Sequence, residues 1–186
     1  ASHLDSVGLP CPGASIVVMG DDGREVPRGD VGEIWIHGGS VIKGYWNNPQ
    51  ATAENFTGGF WHSGDLGSID QQNFVRVFDR KKDMINRGGH KIYSAEVESV
   101  LAGHEDVVES AIIAKPCPVL GERVHAVVVT RNPALAVDTL REWCAARVSD
   151  YKVPETIALS TTPLPRNANG KVLKKKLREE LLAELS

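Results

Sequence analysis

The 186-residue sequence predicts an α+β chain in two parts: a small β-rich unit, then a unit in which strands and helices alternate. Three observations predict it. Short β-branched and aromatic runs, broken by Gly and Pro, fill the first half. The second half mixes strand-like runs with segments of helical period. Net charge also changes sign at Asp79-Arg80-Lys81-Lys82-Asp83. Residues 1–79 carry four Lys/Arg against ten Asp/Glu, and residues 80–186 carry seventeen against fourteen. That break places a domain boundary there, dividing the chain into 1–80 and 81–186.

In the first unit, residues 15–19 form an apolar, β-branched run closed by the turn signal Asp21-Asp22-Gly23. Residues 31–37, with Glu33-Ile34-Trp35-Ile36, read as a second strand that Gly38-Gly39 ends. Asn47-Asn48-Pro49 and Gly58-Gly59 mark loops, and residues 51–56 supply one helical turn after Pro49. Residues 74–78 alternate Phe, Val, Arg, Val, Phe up to the charge break. Short strands with frequent Gly and Pro suit a barrel-like or sandwich subdomain.

In the second unit, residues 83–86 and 90–92 flank Arg87-Gly88-Gly89 as a hairpin with glycines at its tip. Ser94 is positioned to N-cap a helix to about residue 102, with Glu96 and Glu98 near its positive end and Val97, Val100 and Leu101 on its apolar face. Residues 107–115 and 122–130 read as strands, with 126–129 buried. Asp138 opens a helix carrying Leu140, Trp143, Cys144 and Val148 on one side, and residues 153–159 give a further strand. A polar loop at 161–170 leads to a last helix. Leu173, Leu177, Leu181 and Leu185 recur there every four residues, so one stripe docks while Lys174, Lys175, Lys176 and Arg178 face water. Trp35, Trp46, Trp61 and Trp143 read as packing residues.

Composition excludes several classes. Hydrophobic residues are 41% and charged residues 24%, ordinary for a folded globular chain. No apolar run approaches the roughly 20 residues of a membrane helix, and the N-terminal residues lack a signal-peptide pattern. A net charge of −3 argues against a general nucleic-acid binder. Glu179, Glu180 and Glu184 interrupt the basic residues of the last helix. Cys11, Cys117 and Cys144 show no C-x-x-C or metal-ligand spacing and read as reduced thiols of a cytoplasmic protein.

Seven segments, taken in order, are more specific. They include Gly32-Glu33-Ile34-Trp35, Gly44-Tyr45-Trp46-Asn47-Asn48-Pro49 and Trp61-His62-Ser63-Gly64-Asp65-Leu66-Gly67. After these come Asp79-Arg80-Lys81-Lys82-Asp83-Met84-Ile85, Gly88-Gly89-His90-Lys91-Ile92, Tyr151-Lys152-Val153-Pro154 and Leu164-Pro165-Arg166-Asn167-Ala168-Asn169-Gly170-Lys171. Together the sequence resembles the C-terminal part of the acyl-adenylate-forming superfamily, which holds acyl-CoA synthetases, peptide-synthetase adenylation domains and firefly-type luciferases. The Asp79–Ile85 segment favours the acyl-CoA synthetases among these. Ser63 and Asn169 depart from the Thr, or Thr/Ser, common at their positions, and neither removes a proposed catalytic group.

The resemblance implies a distorted β-barrel-like end of the large domain and a two-layer α/β C-terminal lid domain, joined by a hinge near Lys82. It implies ATP-dependent activation of a carboxylate to acyl-AMP, then transfer to CoA. In relatives, Asp65 matches an Asp that accepts both ribose hydroxyls, and Arg80 an Arg that reaches ribose or phosphate. Lys171 matches the lysine that bridges substrate carboxylate, α-phosphate and ribose. Gly88 and Gly89 match a hairpin along which pantetheine runs, and Lys91 a basic residue near the CoA phosphates. The family's phosphate loop and its Tyr-Gly-x-Thr-Glu-type segment are not among these residues. The expectation is therefore a part of a longer enzyme, inactive alone, whose Mg²⁺ and acyl pocket belong elsewhere. Two other readings stay open: a ligase that loads a carrier protein, and a lone lid module without enzymatic activity.

Overall fold

The computed structural model describes residues 3–184, and the side chain of Glu184 is outside that description. Leu185, the last member of the expected leucine stripe, lies outside the described residues. The chain forms two compact units, one ending at Lys82 and the other beginning at Asp83. The sheets are antiparallel for the most part and curl into half-barrels, with few helices. No helix among the described residues is long and apolar enough to cross a membrane.

In the first unit, β1 (Ala14–Met19) pairs antiparallel with β2 (Gly32–Gly38), which puts Val17 opposite Trp35. Helix α1 (Pro49–Asn55) starts where Asn48 Oδ1 accepts the Ala51 amide at 3.0 Å, with Pro49 at its first position. β3 (Phe56–Thr57) and β5 (Val75–Arg80) both pair with β4 (Phe60–Ile69), which also pairs with β2. Val18, Ile34, Ile69 and Val75 form the core.

β4 is the element the sequence reading missed. Its two glycines, histidine and aspartate hide the strand alternation, yet they are what lets it pair on both edges. A Cβ at Gly67 would meet the Arg76 carbonyl at 2.1 Å and Ile34 Cδ1 at 2.5 Å. Only glycine admits that approach, at a register shift between Leu66 and Gly67. Trp46 is also unlike the expectation. It is 97% exposed and packs into no core, because it sits in the loop before α1.

In the second unit, β6 (Ile85–Arg87) and β7 (His90–Ile92) form the expected hairpin, with Gly88 and Gly89 at φ +58° and +89° in its two-residue turn. α2 (Ser94–Ala102) leads to the long antiparallel pair β8 (Val107–Cys117) and β9 (Gly121–Thr130). α3 (Val137–Ala145) and a 3-10 turn (Asp150–Lys152) precede β10 (Thr156–Ser160), which runs parallel to β9. α4 (Lys174–Glu184) closes the chain. Val148, expected on the α3 stripe, lies beyond the helix but still packs on its core.

Alternation along β8 and β9 divides the sheet. Ile112, Ala126 and Val128 face a core shared with Val97 and Leu101 of α2 and Leu140 and Cys144 of α3. Ala111, Ile113 and Val129 face Leu177 and Leu181 of α4. Helices thus cover both faces, a third layer beside the two expected from the sequence.

Two local expectations are corrected. Ser94 does not cap α2: Tyr93 holds the cap position without a side-chain bond, and Ser94, fully buried, accepts Lys174 Nζ at 2.6 Å. Lys174 and Arg178 do not face water. Lys174 Nζ lies 2.7 Å from Glu98, and Arg178 pairs with Asp83. Each extends across the edge of the helix to a carboxylate brought there by the fold, so its charge is neutralised as its stem is covered. Lys175 and Lys176 stay exposed, as expected.

Candidate active site

In the first unit, the candidate residues come from adjoining strands. Antiparallel pairing of β4 with β5 sets Asp65 directly opposite Arg80. Arg80 Nη1 donates to Asp65 Oδ1 at 2.6 Å and to the Ser63 carbonyl at 3.2 Å. Ser63 Oγ accepts the Asp65 amide at 3.0 Å, and Gly64, at φ +72°, turns the strand so that its carbonyl accepts Lys81 N–H at 2.8 Å. Ser63, Gly64, Arg80, Lys81 and Lys82 line a cleft of about 290 Å³. Lys81 also reaches Glu33 at 3.1 Å and Asp21 at 3.6 Å. Partial burial opposes the charge on Lys81, but these two carboxylates outweigh it and raise its pKa.

The Asp65–Arg80 pair keeps 31% and 48% of its side-chain surfaces exposed. A pair so open contributes little stability. Its chemical value is placement: a carboxylate with two acceptor oxygens beside a forked cation, at the rim of a cleft lined by further cations. That set suits a vicinal diol joined to a phosphate. Ser63 and Lys81 line the cleft without having been singled out; their signal is adjacency to Asp65 and Arg80 in strands the sequence did not pair.

A second, apolar recess of about 390 Å³ lies in this unit, lined by Ile36, Ser40, Val41, Ile42, Tyr45 and Trp61. Trp61 Nε1 donates to Tyr45 Oη at 3.2 Å across it.

In the second unit, Lys171 ends a loop shaped by Asn167. Asn167 Oδ1 accepts the amides of Asn169 at 3.0 Å and Lys171 at 2.9 Å, and Asn167 N–H donates to the Lys171 carbonyl at 2.9 Å. A bridge between Arg166 and Val172 closes the loop. Lys171 is exposed. Gly88 and Gly89 occupy the β6–β7 turn, where the Gly88 amide donates to the Leu120 carbonyl at 2.8 Å and Asn86 Oδ1 accepts the Gly89 amide at 3.1 Å. Apart from Gly89 itself and its two chain neighbours, no atom of the described residues lies within 4 Å of where a Gly89 Cβ would stand. Lys91 is exposed on β7. Arg80 and Lys82 thus line one cleft, with Asp65 bonded to Arg80 beside it, and Gly88, Gly89 and Lys91 share one hairpin. Lys171 stands on a separate loop before α4.

Next to that hairpin, Cys117 Sγ accepts the Leu120 amide at 3.4 Å and Arg123 Nε at 3.1 Å. The Leu120 and Val119 amides, with Arg123, lower its pKa against the opposing effect of burial. Cys144 is the reverse: burial pushes its thiol up to about 11. All three cysteines are free. Among the described residues no group of three or more His, Cys, Asp or Glu side chains is placed to hold a metal ion.

Residues 1–46 match the model of the AMP-binding enzyme family, and residues 96–171 match that of the AMP-binding enzyme C-terminal domain. The chain is 38% identical over 178 residues to a long-chain-fatty-acid–CoA ligase of Escherichia coli O6:H1, covering 96% of this chain and 32% of the ligase. It is 41% identical over 179 residues to a feruloyl-CoA synthase of an Amycolatopsis species, covering 96% of this chain and 36% of the synthase. Its fold superposes on o-succinylbenzoate CoA synthetase of Bacillus subtilis, solved with an acyl-adenylate intermediate, with a TM-score of 0.88 and 35% identity. That match covers 94% of this chain and 36% of the synthetase. The chain therefore spans about a third of the length of the relatives it matches. With both family models and this fold in one order along the sequence, the chain belongs to the acyl-adenylate-forming, AMP-binding enzyme superfamily and carries its C-terminal domain.

Proposed function

We propose that the enzyme containing this chain is an acyl-CoA synthetase of the cytoplasm. A small carboxylic acid attacks the α-phosphate of ATP to give acyl-AMP and pyrophosphate, and the CoA thiol then displaces AMP to give the thioester. The observation that carries this reading is the Asp65–Arg80 pair at 2.6 Å, on the rim of a cleft lined by Arg80, Lys81 and Lys82. The carboxylate accepts from ribose hydroxyls while the cations face phosphate.

Lys171 is the catalytic residue. Its mobile ammonium follows the charge that builds on the phosphate oxygens during adenylation. Lys82, in the turn that leaves β5, is the hinge between two poses of the second unit. Gly88 and Gly89 admit the pantetheine arm, and Lys91 meets the CoA phosphates. Mg²⁺, when bound, neutralises the phosphates of ATP; its ligands are assigned to residues outside this chain.

The test separates the two steps in the full-length enzyme. Lys171→Ala is expected to slow acyl-AMP formation about a hundred- to a thousandfold, and to leave CoA attack on preformed acyl-AMP intact. Gly89→Leu, at a positive φ in the proposed channel, is expected to do the reverse. Equal losses in both steps for both variants would show the assignment to be wrong.

A further inference from the structure

We infer that Glu109, acting through Arg166, is a positioning residue for Lys171, an inference that rests on the catalytic role proposed for that lysine. Among the described residues, nothing hydrogen-bonds or pairs with the Lys171 ammonium. The backbone therefore fixes where its flexible stem starts and which way the Cα–Cβ bond points, and no other described residue holds the side chain. The peptide linking Gly170 to Lys171 is held at both polar atoms: its N–H by Asn167 Oδ1 at 2.9 Å, and its carbonyl by Arg166 Nη1 at 2.7 Å. Gly170 sits at φ +79°, on a residue free to take many other conformations, so these two bonds select the one that aims Lys171.

Asn167 belongs to the loop itself and fixes only its internal shape. Arg166 ties the loop to the sheet. Its other terminal nitrogen pairs with Glu109 Oε2, and Glu109 Oε1 accepts the Leu164 amide at 2.8 Å. Leu164 is buried among Ile113, Leu177 and Leu181. Glu109 stands on β8, whose long pairing with β9 makes it a fixed point. One carboxylate thus grips the loop at its anchored start and, through the guanidinium, at the carbonyl next to Lys171. It also neutralises Arg166, a cation that would otherwise repel the lysine.

The experiment uses the full-length enzyme and whichever of palmitate, ferulate and o-succinylbenzoate it turns over fastest. Glu109→Gln and Arg166→Met are expected to lower the adenylation rate about ten- to a hundredfold, the size of effect a misplaced group produces. The KM for ATP and the rate of CoA attack on the preformed adenylate stay at wild-type values. Arg166→Lys, which can still donate to the Gly170 carbonyl and pair with Glu109, recovers part of the loss, whereas the reversed pair Glu109→Arg with Arg166→Glu, which can neither donate to that carbonyl nor accept the Leu164 amide, does not. Independently of any acid, hydrogen exchange at the Lys171 amide is expected to quicken in both single variants. Wild-type adenylation or unchanged exchange in these variants, while Lys171→Ala is slow, overturns the inference alone. Equal loss in both steps reduces the pair to a structural role and also overturns it. A Lys171→Ala enzyme of normal adenylation rate overturns the proposed function first.

Discussion

Asp65 and Arg80 are fifteen residues apart in sequence and 2.6 Å apart in the structure, because the register shift between Leu66 and Gly67 sets Asp65 of β4 opposite Arg80 of β5. A charged hydrogen bond is worth roughly 1.5–3 kcal/mol, or about ten- to a hundred-and-fiftyfold in affinity. On the proposed ribose role, Asp65→Ala in the full-length enzyme weakens AMP binding by that factor, as calorimetry with AMP would read. Affinity unchanged within twofold would remove Asp65 from the site.

At the same scale, His125 makes a pH prediction. Burial, with a smaller contribution from Lys115, lowers its pKa to about 4, and one ring nitrogen lies 2.7 Å from Thr156 Oγ1. In the unfolded chain its pKa is about 6.5. Between those values the unfolded chain takes up a proton that the native state refuses. The stability tied to neutral His125 is fully present above pH 6.5 and is lost as pH falls toward 4, about 3 kcal/mol in all. Urea midpoints at pH 7 and pH 4.5 measure it. His125→Gln should fall less over that interval, and an identical fall would exclude His125 as the cause.

Elements are joined at the outer edge of β8. The Ile112 amide has no strand on that side; Glu98 of α2 accepts it at 2.7 Å and also pairs with Lys174 of α4. One carboxylate therefore satisfies an edge-strand donor and links helices from both faces of the sheet. Glu98→Ala leaves a buried amide and a largely buried ammonium without it. The expected cost is about 2–4 kcal/mol, seen as a lower Tm for the second unit. Glu98→Gln, which can still accept from Ile112, should cost less. Equal melting of all three proteins would mean that water replaces the carboxylate.

For the whole molecule, the units meet in the chain at the turn Lys81–Lys82–Asp83. Asp83 is fastened to its own unit by Arg178, and Lys81 to the other by Glu33. Lys82 is the residue between these two ties in the chain. On the proposed hinge role, Lys82→Pro restricts φ to about −65° and slows overall turnover, while each half-reaction, assayed alone, is affected less. Overall turnover at the wild-type rate would place the hinge elsewhere.

The sequence by itself determined what local chemistry controls. It marked the Gly88-Gly89 turn from its glycines, the strands of the second unit from their β-branched runs, and the family from motifs in order. Asp65, Arg80 and Lys171 were legible as candidates through those motifs, although their surroundings were not. Tertiary structure alone decided that 60–69 is a strand, since its glycines make sense only against Arg76 and Ile34. It alone turned Lys174 and Arg178 inward, left Trp46 exposed, and brought Glu109 to Arg166 across 57 residues. Periodicity reports which face of an element is apolar. It carries no record of which distant carboxylate the fold will bring to a cation, because that partner is chosen only when the sheet closes.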